Sequence, residues 1–275
     1  MSKFSMNGRI RKQIEKRGLY TITTERMSSI PKITLILGIV ALVVGGIWLL
    51  VAGYPTESDE FMEIAGLFGI PGVLLFLNGF FDLIISRRRV AARKKGLELL
   101  ELQYDRSAKE ILGEIDEQIR TQKKDIPATE GFDSKKRGFI VKDWYIAPEF
   151  TRFVKLKDIA CVASMDTSST KALTARGTYI ITTMHEDDAI NDFFGGSANW
   201  KIIFDMIKQA NPNVLTHHDK INLRGKETTI FEALRFVTSD TPLAEDSPKL
   251  TRERREIMDI VIAAFLKSHD DSVIS

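Results

Sequence analysis

Residues 33–53 read ITLILGIVALVVGGIWLLVAG, 21 residues without a single charge. At about 1.5 Å rise per residue, a helix of this length crosses a hydrocarbon core of about 30 Å. A buried helix of a water-soluble core rarely carries more than ~14 apolar residues without a polar face. A cleaved leader fits poorly too, because its apolar region is usually ~7–15 residues and ends at a small-residue cleavage site. A membrane span is the reading. IAGLFGIPGVLLFLNGFFDLII (64–85) is a second run of similar length. Its Gly-Ile-Pro-Gly (69–72), Asn78 and Asp82 suit an isolated soluble helix badly. Inside a membrane, neighbouring helices satisfy the backbone groups that a proline frees. Ten residues separate the runs, so an antiparallel hairpin is expected.

The flanks orient it. Residues 1–32 hold eight bases against Glu15 and Glu25, a net of +6, and 87–95 hold Arg87, Arg88, Arg89, Arg93, Lys94 and Lys95. The connection 54–63 has four acids and no base. Lys and Arg stay on the cytoplasmic side, so both termini are expected there, in a multi-pass inner-membrane protein. The remaining residues, 96–275, carry a net of −5, and the chain's overall +2 is an average of opposites. With 44% hydrophobic and 28% charged residues, the 275-residue chain is neither a disordered polyelectrolyte nor a collagen-like repeat. Its lone cysteine, Cys161, excludes an internal disulfide and suits a reducing cytosol.

Asp82 lies about one turn before Ser86 and Arg87, so its carboxylate can reach the interface or pair with the arginines; that reading outweighs an intramembrane pathway. Asn78 is deeper and could hydrogen-bond to the first span. Gly38, Ala41, Gly45 and Gly46 on one run, and Gly66, Gly69 and Gly72 on the other, allow close backbone approach. The six bases at 87–95 are the candidate contact with anionic lipid head groups at the inner leaflet. GRIRKQIEKRG (8–18) has too few apolar residues to insert and is expected on the surface or mobile.

Beyond the arginines, Leu97, Leu100, Tyr104, Ala108, Ile111, Ile115 and Ile119 recur at helical spacing, predicting one amphipathic helix over 97–119. Its stripe could pair with a second copy or, preferably, pack on its own domain. DIPATEGFDS (125–134) reads as a linker. The period then changes: GFIV (138–141), DWYIA (143–147), FTRFVKL (150–156), IACVASM (159–165) and TYIITTM (178–184) are strand-like, with a compact corner at 156–159. SANWKIIFDMIKQANP (197–212) supplies a helix with Trp200, Ile203, Phe204 and Ile207 on one face. Helices are also expected over 228–238 and 250–268. The second is apolar almost all round from Ile257 to Leu266, too short to span a bilayer, and must be buried against something.

The stretch 138–214, with its strand–Trp–strand, the FVKLKDIACV corner, GTYIITT and a helix ending QANPNV, resembles bacterial pleckstrin-homology-like (PH-like) domains. The resemblance covers about 75 residues and rests on pattern rather than an invariant motif. It implies a curled antiparallel sheet capped by a C-terminal helix, and binding or assembly rather than catalysis. Strands are short of that pattern, so 166–176 and 186–194 would have to supply the rest. No ligand residues carry over, and the region's bases cluster only at Lys135, Lys136 and Arg137.

Sites of chemistry are not evident. There is no phosphate-binding loop, dinucleotide fingerprint, nucleophile elbow or zinc spacing. Consecutive residues such as His185, Glu186, Asp187 and Asp188, or His217, His218 and Asp219, cannot all converge on one ion. FFGGS (193–197) fits a turn and helix cap better than an anion site, and Cys161 fits an inert strand thiol better than a nucleophile. The net-acidic C-terminal part argues against nucleic acid. No catalytic, cofactor or metal residues are assigned.

The expectation is an α+β membrane protein in five parts: a basic cytoplasmic segment 1–32, a hairpin 33–86, a juxtamembrane stretch and helix 87–124, a PH-like domain 135–214 and a helical extension 215–275. Its expected role is binding or assembly at the membrane, with the bilayer, a protein partner or a second copy as partners. The alternative is an accessory or regulatory subunit of a transporter or membrane enzyme complex. A membrane-bound enzyme would need a pocket converging on His185, Asp187 or Cys161.

Overall fold

The computed structural model describes residues 5–25, 30–51, 65–122, 125–129, 137–167, 175–183, 190–192, 197–238 and 248–274. The acidic loop 54–63, Lys135, Lys136, His185 to Asp188, residues 193–196, most of the 166–176 loop and nearly all of 241–248 lie outside them. The chain forms two compact units, Thr24–Lys94 and Met1–Thr23 with Lys95–Ser275. In chain order the first helices are α1 (Gly8–Arg17), α2 (Leu19–Thr24), α3 (Ile30–Val51), α4 (Ile70–Tyr104) and α5 (Ala108–Thr121).

Within Thr24–Lys94, α3 packs on a π-helical turn, Ala65–Gly69, and on α4. The π-turn falls just ahead of Pro71, which has no backbone N–H to donate to the preceding turn. Glycine sets the separation of the two helices. A Cβ on Gly38 would overlap the backbone of Phe76, and one on Gly79 would lie 2.5 Å from the Leu35 nitrogen. Gly45 and Gly72 meet side chains instead, Phe68 at 2.9 Å and the movable end of Leu42 at 3.0 Å, whereas Gly46 and Gly66 face open space. Both helices are long and apolar enough to cross a membrane, and only 17% and 11% of their apolar windows are buried. A core helix of a soluble domain is mostly buried; these are not. Asn78 is exposed rather than turned toward α3, and Asp82 is exposed and, among the described residues, makes no ion pair with the arginines that follow.

The segment 8–18, expected on the surface or mobile, is a helix with one face exposed and the other built into the core. Ile10 and Ile14 of α1 and Leu19 of α2 are buried with Ala108, Ile111, Leu112, Ile115 and Ile119 of α5. Two isoleucines four apart make one apolar stripe, sufficient for a short helix whose partner already exists. Arg11 donates to the carbonyls of Ile119 and Gln122 at 3.1 and 2.8 Å, satisfying the end of α5. Asp116 accepts the Leu19 N–H with both oxygens, at 2.9 and 3.0 Å, at the start of α2. Burial raises the Asp116 pKa against the opposing effects of that N–H and of Arg120. A raised acid adds stability below its unfolded pKa and loses it as pH rises through the folded one. Asp116→Ala leaves the Leu19 N–H buried and unpaired, an expected loss of about 1–3 kcal/mol. Thermal unfolding and tryptic cleavage after Arg17 would show it, and Asp116→Asn, which keeps an acceptor, should lose less.

The single helix expected over 97–119 is two. Asp105 adopts a left-handed φ of 48°, α4 ends at Tyr104, and the Ala108 N–H at the start of α5 donates to Glu101 at 2.9 Å. The apolar stripe survives the turn: Leu100, Ala108, Ile111, Ile115 and Ile119 are all buried. The linker is partly structural, since Ile126, Ala128 and Thr129 are buried and Pro127 bridges Ser5.

Strands β1 (Phe139–Val141), β2 (Trp144–Ile146) and β3 (Phe153–Lys155) form an antiparallel sheet. After a 3-10 turn at Leu156–Asp158 come β4 (Ile159–Thr167), β5 (Ala175–Thr182) and β6 (Ile190–Asp192), then α6 (Ser197–Ala210) and β7 (Leu215–Thr216). The second sheet has the order β6-β5-β4-β7, with β7 parallel to β4. The strands are therefore not one antiparallel sheet: the 3-10 turn separates β3 from β4, and the chain returns from α6 to add β7 along the edge of β4 that β5 leaves open. A hairpin, β8 (Lys220–Leu223) and β9 (Lys226–Thr229), turns through Arg224 and Gly225, both at positive φ. It was not evident in the sequence, and it takes the first residues of the helix expected at 228. Helices α7 (Ile230–Thr238) and α8 (Pro248–Ile274) close the fold.

β4 is covered on both faces. Ile159 and Val162 pack with Ile203 and Ile207 of α6. Ala160, Cys161 and Ala163 meet Ile230 and Leu234 of α7 and Ile257, Val261 and Phe265 of α8. Two-sided burial explains the unbroken apolar run at 159–163, and its small side chains let α8 settle against the sheet. Most of the apolar part of α8 is thus buried within its own chain, Leu266 remaining exposed.

Candidate membrane-surface site

The six bases predicted to face lipid all lie on α4. At about 100° per residue, 87 and 94 share one direction, 88 and 95 a second, and 89 and 93 a third. Charge therefore surrounds the helix as a collar rather than forming one stripe. Arg87, Arg88, Lys94 and Lys95 are exposed, while Arg89 and Arg93 are half-buried. Just before the collar, Phe81 and Ile85 are exposed apolar side chains, 57% and 44% accessible. The surface of α4 changes from hydrocarbon to cation within one turn.

Beyond the collar, α4 docks on the three-stranded sheet. Gly96 meets the Thr151 carbonyl so closely that any Cβ would overlap it. Thr151 follows Glu149 and Phe150, consecutive residues at left-handed φ of 57° and 60°. About two turns further on, the Tyr104 hydroxyl donates to Asp158 at 2.7 Å and accepts the Lys155 N–H at 3.0 Å. Its ring meets Trp144 edge to face at 5.2 Å, and the Lys155 ammonium lies 5.0 Å from the Tyr104 ring centre and 5.4 Å from that of Trp144. Burial, with the Asp158 carboxylate beside it, pushes the Tyr104 pKa far above the usual phenol value despite the Lys155 N–H. The hydroxyl is a fixed neutral donor. Tyr104 reads in the sequence as one apolar position of a helix, and no local signal joins it to Asp158.

The other singled-out residues are structural where they are described. The Asp219 carboxylate accepts the Thr216 N–H at 2.6 Å and its hydroxyl at 2.9 Å, closing the turn that holds His217 and His218. Burial, then the neighbouring His218, lowers the His217 pKa. Among the described residues, no three His, Cys, Asp or Glu side chains converge on a point. Cys161 is fully buried in β4, paired to Ile181 and Leu215, and burial pushes its thiol pKa far up. Native protein should resist a thiol-alkylating reagent and react fully once denatured, as read by mass spectrometry.

No protein-family model, curated protein or solved structure matches the chain.

Proposed function

We propose that this chain is a two-span membrane protein that presents its larger unit at the cytoplasmic surface for binding or assembly rather than catalysis. The observation that carries this reading is the pair of long apolar helices, packed through glycine and otherwise exposed, with a cationic collar at the end of the second. Leaving that much apolar surface in water is unfavourable by roughly 25 cal/mol per Å². The bases flanking both runs, and their absence from 54–63, favour cytoplasmic termini. The collar then lies at the anionic leaflet, where each base near the surface contributes about 1 kcal/mol.

For the larger unit, the resemblance to PH-like domains is supported by short antiparallel strands and by α6 packed across β2, β3 and β4. The parallel β7 and the division into separate sheets depart from that pattern. A binding module is favoured because its described surface carries loops, turns and charge around a closed core. Alkaline carbonate washing of membranes tests the anchor. The chain should stay in the pellet, and its release into the detergent-free supernatant would overturn the reading. A reporter fused after Ser275 should be active only in the cytoplasm.

A further inference from the structure

We infer that the outward face of α1 is a second contact with anionic phospholipid, separate from the collar on α4; this rests on the membrane reading above. Burial divides α1 by chemistry. Ile10 and Ile14 face the core, and Arg11 is engaged at the end of α5. Arg9, Lys12 and Lys16 remain exposed, and among the described residues none of the three makes an ion pair. At about 100° per residue they fall within a sector of about 60°, nearly opposite the two isoleucines. Glu15, the one acid of α1, lies off that stripe and pairs with Arg11 at 3.0 Å.

Two features select a bilayer as the partner. The apolar face of α1 is already occupied by protein, so this helix cannot insert as free amphipathic helices do, and only its charge is available. The stripe is also tethered to the apolar run. Five residues separate the end of α2 at Thr24 from the start of α3 at Ile30; their Glu25 and Arg26 offset one another, so the connection serves only as a tether. Fully extended, that connection spans roughly 20 Å. A row of exposed cations joined to an apolar run by so short a stretch of chain fits the negative surface potential of a leaflet rich in anionic lipid. Salt should weaken the contact, because the Debye length falls from about 10 Å at 0.1 M to about 3 Å at 1 M.

The test uses the full chain in vesicles. Gln13 is exposed on α1 beside the stripe, and Cys161 is buried, so Gln13→Cys can carry a single bimane label. Vesicles of phosphatidylcholine alone, or with about a third phosphatidylglycerol, contain the same fraction of a lipid nitroxide-labelled at its head group. Quenching at position 13 should be at least twofold greater in the anionic vesicles. Raising salt to about 1 M should remove the difference. So should Arg9→Gln/Lys12→Gln/Lys16→Gln, with unchanged resistance to tryptic cleavage after Arg17 reporting that α1 is still docked. Equal quenching in the two vesicles, or no effect of the triple substitution, overturns the inference and leaves the stripe to a protein partner. A second label at Val43→Cys, on the exposed side of α3, reports insertion through acyl-chain nitroxides. If that label is quenched and the position-13 result fails, only this inference falls. If it is not quenched, the membrane reading falls and takes the inference with it.

Discussion

Gly79→Leu should drive α3 and α4 apart, whereas Gly46→Ala, also a helical glycine in an apolar run, should change nothing. The difference is what each new side chain meets. A Cβ at position 79 lies 2.5 Å from the Leu35 nitrogen and 2.8 Å from its Cα, and backbone has no rotamer into which to retreat. At Gly46 nothing lies within 4 Å. Overpacking typically costs 1–3 kcal/mol, and here the leucine adds three further carbons to a contact that a methyl already closes. Separation also removes the contacts at Gly38, Gly45 and Gly72 together, since all four glycines serve one seam. Cross-linking measures the outcome directly. A Cβ at Gly72 would lie 3.3 Å from that of Ala41, so Ala41→Cys/Gly72→Cys should form a disulfide under mild oxidation. Gly79→Leu should lower its yield by about tenfold, the change that 1.4 kcal/mol brings to an equilibrium. An unchanged yield would mean that the seam is not where the two helices meet.

The second large effect is expected at Gly96. Valine there must overlap the Thr151 carbonyl, in a loop that already holds Glu149 and Phe150 at positive φ. Left-handed non-glycine residues cost on the order of 1–3 kcal/mol each, so this loop has little freedom left to yield. The alternative is for the end of α4 to lift from the sheet, which breaks the bonds of Tyr104 to Asp158 and Lys155 and the contact with Trp144. A loss of about 3 kcal/mol or more is expected for Gly96→Val. Tyr104→Phe removes only the hydroxyl and should cost about 1–2 kcal/mol. Gly113→Ala, at an exposed position of α5 with open space around it, should instead stabilise the chain by up to about 1 kcal/mol. Hydrogen exchange at the Lys155 amide follows all three, because its acceptor is the Tyr104 hydroxyl. Exchange no faster in Gly96→Val than in the parent would mean that α4 does not dock through this contact.

These glycines show where a linear reading stops. Small residues in apolar runs suggest close packing, but Gly45 and Gly46 are neighbours in sequence and only Gly45 has a neighbour across the seam. The direction of each Cα decides, and that depends on how two helices are rotated against one another. The same holds for the N-terminal segment. Two isoleucines among ten residues look too few to fold, because the surface that receives them belongs to α5, about a hundred residues later. The β8–β9 hairpin has little local signal: Lys220 to Leu223 alternate over only four residues, β9 (KETT) brings no apolar side chain, and Ile221 is the one deeply buried residue.

Periodicity and charge order, which are local, were enough to set out the two apolar helices, the basic runs beside them, the strands from 139 to 182 and the helices α6 and α8. Unbroken apolar length requires no knowledge of a partner, and neither does a run of cations. Pairing did require one. The division of the strands into sheets, the parallel β7, the docking of Tyr104 on Asp158 and the packing of α8 across β4 join residues about 50 to 100 positions apart. Their energies depend on surfaces that exist only after the chain has folded, so they became visible only in three dimensions.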